Sequence, residues 1–230
     1  MDMAGPTVTT TAIPRTIMTI DPRLLTLMQW LSPAYPVGAF AYSHGLETAV
    51  REGWVCDAST LEDWLADVLS QGSGRADALW IFLACRGDRP DAELDALARA
   101  WQPSRERLRE AERQGAAFTH VTAEVWELDL PAMLLPVALG AAARQNGMRA
   151  QPVAALYLQA FAGNLVSAAQ RLMPLGQTAA QAVLARLTPL CAEIAAEAET
   201  LTLEDMASNA FRSDVAAMKH ETMEPRLFQS

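Results

Sequence analysis

The sequence predicts an all-α protein, a single-domain bundle of about ten helices. Alanine supplies 43 of the 230 residues, mostly in runs with leucine, glutamate, arginine and glutamine, which lose little side-chain freedom in a helix. Alternating runs of β-branched residues, the pattern of strands, are missing. No linker or internal repeat divides the chain, and a hydrophobic content of 51% suffices for one large core.

Apolar periodicity and helix-end signals place the helices along the chain. Ser59 and Glu62 form a capping-box pattern at the start of the third helix. Gly87 and Gly147 follow the ends of the fourth and seventh helices, where a left-handed residue is favoured. The predicted helices span residues 23–31, 40–52, 59–71, 75–86, 91–101, 104–128, 132–145, 152–172, 178–199 and 213–219.

Both ends of the chain are predicted to be flexible, outside a helical domain of residues 21–212. Residues 1–20 are rich in threonine and lack the basic start and apolar stretch of a signal peptide, so we expect a frayed segment there. Residues 213–230 are expected to form the last helix and a polar, partner-binding C-terminal tail.

Charge and composition argue against nucleic-acid and membrane partners. The net charge of -9 repels polyanions, and the longest apolar stretches, such as 131–143, are interrupted or too short to cross a bilayer. The three cysteines, Cys56, Cys85 and Cys191, lie far apart, as expected in a reducing compartment. These features predict a cytoplasmic protein.

The predicted helix 104–128 carries an apolar face and a charged face. On the charged face, Glu106 and Arg109 have the spacing of a helical ion pair, as do Glu110 and Arg113. This pattern favours a solvated face over a binding surface.

The predicted helix 152–172 is apolar on most sides, which is typical of a helix at the centre of a bundle. Its one small or polar stripe consists of Gln159, Gly163, Ser167 and Arg171. The stripe favours close helix packing, and lining a channel or a subunit contact is the alternative.

No self-contained catalytic site is predicted. The segment 41–45 (AYSHG) is similar to a nucleophile elbow around Ser43, but Pro33 and Pro36 occupy the place of the buried strand that an elbow needs. A serine hydrolase using Ser43 is therefore the weaker alternative. The histidines form no metal-binding motif, so we expect no metal site.

The C-terminal tail places Leu227 and Phe228 beside Arg226. Apolar anchors beside an arginine in a loose segment suggest ordering on a partner surface. The sequence supports equally well a tail that folds back on its own domain.

Three segments, in order, resemble urease accessory protein F (UreF). They are 31–47 (LSPAYPVGAFAYSHGLE), 164–178 (NLVSAAQRLMPLGQT), and the tail with His220-Glu-Thr222 and Arg226-Leu-Phe228. The segments 105–110 (RERLRE) and 115–118 (GAAF) also fit, so the resemblance covers about residues 24–230. The tail departs from the family pattern at Glu224, Pro225 and Gln229, where the pattern has tyrosine, serine and arginine.

The resemblance implies a non-catalytic, all-α, homodimeric helper that bridges accessory protein D (also called H) and the GTPase accessory protein G. The assembly uses GTP to insert nickel into apo-urease, and the complex handles nickel in transit, so no stably bound cofactor is expected. A nickel carrier acting alone, through His44, His120 or His220, is a further alternative.

The resemblance also implies which residues bind partners. The last helix and tail would order on accessory protein D/H through His220, Glu221, Thr222, Arg226, Leu227 and Phe228. Glu47 and Arg171 would act at or near the GTPase-facing or nickel-transit region, with Arg171 pairing with Glu47 or with a partner carboxylate. Tyr42 and Ser43 are further candidates on the same surface through their position.

Overall fold

The computed structural model describes residues 20–230, and this part of the chain contains ten α-helices and no strand. The predicted all-α fold class is thereby confirmed. The predicted flexible segment 1–20 lies outside the described residues, apart from the exposed Ile20. The helices are α1 (Pro22–Trp30), α2 (Leu46–Arg51), α3 (Ala58–Ser70), α4 (Ser73–Arg86), α5 (Asp91–Ala100), α6 (Arg105–Trp126), α7 (Leu135–Gln145), α8 (Ala150–Leu172), α9 (Gln177–Ala198) and α10 (Phe211–His220), with short 3-10 turns at Ala39–Ala41 and Leu203–Asp205.

Helices α4 and α8 form the centre of the bundle. Helix α4 packs against α3, α7, α8 and α9, and it buries Trp80 and Ile81 almost completely. Helix α8 packs mainly against α9 and α4, which agrees with its predicted central place. By length and composition it is also the one helix of the described chain that passes as a candidate membrane span, but 56% of its apolar window is buried inside the domain. That burial is what the central helix of a bundle requires.

Glycines have two roles in this bundle: one allows α7 to pack closely against α4, and two others end helices. A Cβ on Gly140 of α7 would lie 2.5 Å from the backbone oxygen of Ile81 in α4. Gly87 and Gly147 adopt the predicted left-handed conformation after α4 and α7.

Two helix starts differ from the predictions because local geometry intervenes. Helix α2 begins at Leu46 rather than at residue 40, since His44 and Gly45 both have positive φ angles and turn the chain sharply. Helix α3 begins with a capping box of Asp57 and Thr60, which starts two residues before the predicted cap.

Candidate functional site

A sharp turn before α2 positions several predicted site residues. Gly45 has a φ of +75°, and a Cβ at this position would lie 2.7 Å from the backbone nitrogen of Ala217 in α10. Only glycine permits this conformation together with so close an approach. The turn brings Ser43, His44 and Glu47 against α6, α10 and the C-terminal segment.

Glu47 binds the backbone of the C-terminal segment. It lies in the first turn of α2 and is only 9% exposed. One carboxylate oxygen accepts a hydrogen bond from the N–H of Leu227 at 2.7 Å, and the other accepts one from the N–H of Phe228 at 2.8 Å. Hydrogen bonds to an ionised acceptor are the strong ones. Glu47 therefore fixes the backbone of the tail against α2.

His220, the last residue of α10, is fully buried between two carboxylates. Its Nδ1 lies 2.7 Å from Glu106 Oε2 and its Nε2 lies 3.3 Å from Glu47 Oε2. A neutral imidazole carries one N–H, so only the protonated ring donates to both carboxylates. Arg226 donates to the other oxygen of Glu106. We call Glu47, Glu106, His220 and Arg226 the tail cluster.

Phe228 anchors the tail in the core. Its ring is 2% exposed, and the guanidinium of Arg171 lies 4.3 Å from the ring centroid. Arg171 also donates to the backbone oxygen of Phe40 at 2.7 Å. Arg171 forms no ion pair with Glu47 within the described residues, since its guanidinium lies over Phe228 and against the Phe40 oxygen; the alternative, a partner carboxylate, stays a prediction.

Backbone hydrogen bonds tie the last two residues to the turn before α2. The N–H of Gln229 donates to the oxygen of Ala41 at 2.8 Å, and the N–H of Ser43 donates to the oxygen of Ser230 at 2.9 Å. The Ser230 hydroxyl donates to Glu110. The expectation of a flexible C-terminal tail is therefore corrected: the segment folds back on its own domain, which was the open alternative.

The remaining predicted site residues divide into buried and exposed ones. Tyr42 is buried. Glu221 accepts from the N–H of Arg105 at 2.8 Å, Thr222 is exposed, and Leu227 is 55% exposed. The structure thus brings most predicted residues into one region, and Arg171, Thr222, Arg226 and Leu227 are its exposed members.

The prediction missed the charged residues of α6 that complete this region. Glu106 and Glu110 are buried, whereas the charge pattern of α6 favoured a solvated face. Glu106 pairs with His220 and Arg226, and Glu110 pairs with Arg107, so the expected intrahelical pairs with Arg109 and Arg113 do not form. In the sequence, only the match of segment 105–110 to the family pattern indicated that these charged residues belong to the site.

A cavity of about 80 Å³ lies beside the tail cluster, between the 30–42 segment and helices α4, α6, α7 and α8. Most of its wall is apolar, and the aromatic residues Trp30, Phe118 and Phe161 line it together with three tyrosines, Tyr35, Tyr42 and Tyr157. Polar groups converge on it as well. They are Tyr42, His44, Asp77, Gln102, Arg107, Glu110, Gln114, Tyr157 and Asn164.

The pKa values of the charged groups around this cavity are strongly shifted. Burial raises the pKa of Asp77 to about 6, although the hydrogen bond from Tyr157 opposes the shift. Burial, and then the charge of Arg107, lower the pKa of His44 to about 4. Burial alone would raise the pKa of Glu110, but Arg107 and His44 outweigh burial and lower it to about 2. Such shifted groups in a concave site mark a candidate binding site.

The free energy of unfolding of Asp77→Asn, taken relative to that of the parent protein, is expected to be about 2 kcal/mol larger at pH 7 than at pH 4. Folding raises the pKa of Asp77 from its ordinary 3.8 to about 6. The folded parent protein therefore binds this proton more tightly than the unfolded chain does, and it loses stability as the pH rises from 4 to 7. Asparagine does not titrate. Urea unfolding of the parent and the variant at both pH values measures this. The same variant-minus-parent free energy at pH 4 and pH 7 would contradict the raised pKa of Asp77.

The structure places the residues on which the hydrolase and nickel-carrier alternatives depend. The Ser43 hydroxyl donates to the backbone oxygen of Ser230 and forms no hydrogen bond with a histidine of the described chain. Within residues 20–230, no group of three or more histidine, cysteine, aspartate and glutamate side chains is arranged to hold a metal ion.

Comparison with known proteins gives one consistent family. The family model described as UreF matches residues 55–188. The chain is 56% identical to urease accessory protein UreF of Cereibacter sphaeroides (strain KD131) over 207 residues, which cover 90% of this chain and 98% of the relative. It is 47% identical to the UreF of Ruegeria pomeroyi over 91% of this chain and 98% of the relative, and 44% identical to that of Roseobacter denitrificans over 94% and 97%.

Proposed function

This chain belongs to the UreF family of urease accessory proteins, and from that premise we propose that it is a non-catalytic adaptor in nickel delivery to apo-urease. It bridges accessory protein D/H and the GTPase accessory protein G, and the assembly inserts nickel with GTP hydrolysis. It acts as a homodimer in the cytoplasm, without nucleic-acid or membrane partners. Nickel is the cargo of the complex and not a resident cofactor of this chain.

The observation that carries the proposal is the similarity to UreF proteins over 90% of the chain. The geometry of α10 supports it. Phe211, Val215 and Met218 are 70%, 45% and 53% exposed, and their spacing places them on one helix face. Large exposed apolar side chains that form one patch are typical of protein-binding surfaces.

The buried and exposed site residues have different roles in this proposal. Glu221, Thr222, Arg226 and Leu227 touch accessory protein D/H beside the apolar face of α10. Tyr42, Ser43, Glu47, His220 and Phe228 are buried, and they hold the tail in the conformation that the partner recognises. Arg171, which is exposed, faces the GTPase-binding or nickel-transit side.

Co-purification with accessory proteins D/H and G tests the adaptor function. We expect a ternary complex at micromolar concentration in which this chain is required for the GTPase to be captured by accessory protein D/H. Capture of the GTPase to the same extent without this chain would refute the bridging role.

Replacing both Phe211 and Met218 by serine is expected to weaken capture of accessory protein D/H at least tenfold, because the apolar contact is lost. The matched control is Val125→Ser, since Val125 is a 60% exposed apolar residue on α6. Both variants change surface positions, so unfolding free energies should stay within about 0.5 kcal/mol of the parent for each substitution. Undiminished capture by the double variant would show that the apolar face of α10 does not contact accessory protein D/H.

A further inference from the structure

Three arginines of α6 form a ridge on the surface of the domain. Arg105, Arg109 and Arg113 are all exposed, and the side chain of Arg105 is 82% exposed. They are four positions apart, so successive side chains lie on the same helix face at steps of about 6 Å along its axis. We call these three residues the arginine ridge. It extends over about 12 Å of the helix.

The glutamates of α6 do not neutralise this ridge. Glu106 and Glu110 are buried and form ion pairs inside the domain. Glu112 accepts a hydrogen bond from Arg99 of α5. In the folded domain these carboxylates therefore have partners of their own, and the three arginines stay at the surface.

Two of the three arginines have no carboxylate partner in the described chain. Arg109 forms no hydrogen bond or ion pair there, and Arg113 donates to the neutral Oε1 of Gln229 at 2.7 Å. Arg105 lies 3.3 Å from a carboxylate oxygen of Glu221. The ridge therefore carries more positive charge than its described neighbours balance.

This arrangement is unfavourable within a single copy of the chain. Like charges four positions apart on a helix repel each other. Arg105 is also the first residue of α6, where the positive end of the helix dipole opposes a cation. Anionic groups placed along the ridge by a partner relieve both effects.

The charge of the whole protein limits which anionic partner fits. The chain carries a net charge of -9, so its overall field repels a nucleic acid, whose charge extends far beyond the ridge. A short acidic segment of a protein interacts mainly with charges within about 10 Å, the screening length at 0.1 M salt. A helix with a carboxylate at every fourth position also repeats at the same step of about 6 Å as the arginines.

We propose that the arginine ridge is a docking surface for an acidic helix of another protein. Carboxylates four positions apart on that helix pair with Arg105, Arg109 and Arg113, whose guanidinium groups match carboxylate geometry. The inference does not depend on the adaptor function or on the partners proposed above, because the ridge belongs to one copy of this chain and can be tested on it alone.

Binding of a labelled acidic peptide to the full chain tests the proposal. The probe is an alanine-rich helical peptide with glutamate at every fourth position, and the control peptide has glutamine in place of each glutamate. Fluorescence anisotropy at pH 7 and low salt should show about tenfold or tighter binding of the glutamate peptide. The difference should vanish at 1 M sodium chloride, where the screening length is about 3 Å. Equal binding of the two peptides, or tighter binding of a single-stranded oligonucleotide of the same charge, would overturn the proposal.

Two pairs of substitutions assign the binding to the ridge. Replacing Arg109 and Arg113 by glutamine should weaken binding of the glutamate peptide about fivefold or more. The matched control replaces Arg149 and Arg186, which are exposed arginines on α8 and α9, by glutamine. It removes the same charge from the chain and should change the affinity less than about twofold. Equal losses in both variants, or no loss in either, would refute the site.

Reversing the charges on both sides separates recognition from a structural role of the arginines. Arg109→Glu with Arg113→Glu should bind a peptide with lysine at every fourth position about tenfold tighter than the parent chain does. The same reversal at Arg149 and Arg186 should give a much smaller gain, because only the overall charge changes there. An equal gain from both reversals would show that the peptide responds to net charge and not to the ridge.

Discussion

Replacing Gly115 by alanine is expected to destabilise the domain by about 3 kcal/mol or more, which is a large part of the stability of a typical domain. Gly115 lies in α6, where the chain before α7 crosses it closely. A Cβ at this position would overlap the backbone oxygen of Met133 and lie 2.8 Å from the nitrogen of Leu135. These are backbone atoms, so no side-chain rotation relieves the overlap.

Thermal unfolding measures this effect, and Gly163→Ala is the matched control. Gly163 also lies inside a helix, but the nearest atom to its added Cβ is Leu184 Cδ2 at 3.9 Å. Alanine should be tolerated there or stabilise by up to about 1 kcal/mol, because it favours the helix. We expect Gly115→Ala to lower the Tm by about 6–12 °C. A Tm equal to that of the control would show that the contact between α6 and residues 133–135 is looser than described.

Replacing Glu47 by glutamine is expected to release the C-terminal tail, with the open population rising about 100-fold. Both carboxylate oxygens of Glu47 accept backbone N–H groups, from Leu227 and Phe228. The amide of glutamine places an NH₂ group against one of these donors, which turns a charge-assisted hydrogen bond into a repulsive contact. The contact of His220 Nε2 with the Glu47 carboxylate is lost at the same time.

Hydrogen exchange of the Leu227 and Phe228 amides, and tryptic cleavage after Arg226, measure the release of the tail. Glu52→Gln is the control, because Glu52 forms an exposed ion pair with Lys219 that contributes little. Exchange in Glu47→Gln as slow as in the control would mean that Phe228 alone holds the tail. If the tail conformation serves partner recognition, Glu47→Gln should also weaken capture of accessory protein D/H.

The helices could be predicted from sequence because their signals are local. Alanine-rich runs and apolar periodicity predicted ten helices and the central place of α8, and both predictions are confirmed. The turn at His44 and Gly45 was missed, since the approach of α10 at Ala217 imposes it from 172 positions away along the chain. Helix propensity depends on each residue and its near neighbours in sequence, so it holds no information about a contact at that separation.

The site was predicted only in part. Family resemblance identified Glu47 and Arg171 for one partner-facing region and His220 and Phe228 for another, and the structure brings all four together. It did not identify Asp77 or His44 as lining one cavity with Glu110. Neither residue has a neighbour in sequence that marks it as lining a cavity.

The sequence alone therefore determined the fold class, the order of the helices and the family of this protein, because composition, periodicity and ordered motifs are properties of the chain itself. Only the tertiary structure decided that the tail is packed and that the charged face of α6 is partly buried. The same carboxylate of Glu106 would be solvated on an isolated helix, and it is buried here because His220, 114 positions away, folds against it. Burial depends on which distant residues meet, and only the packed chain specifies that.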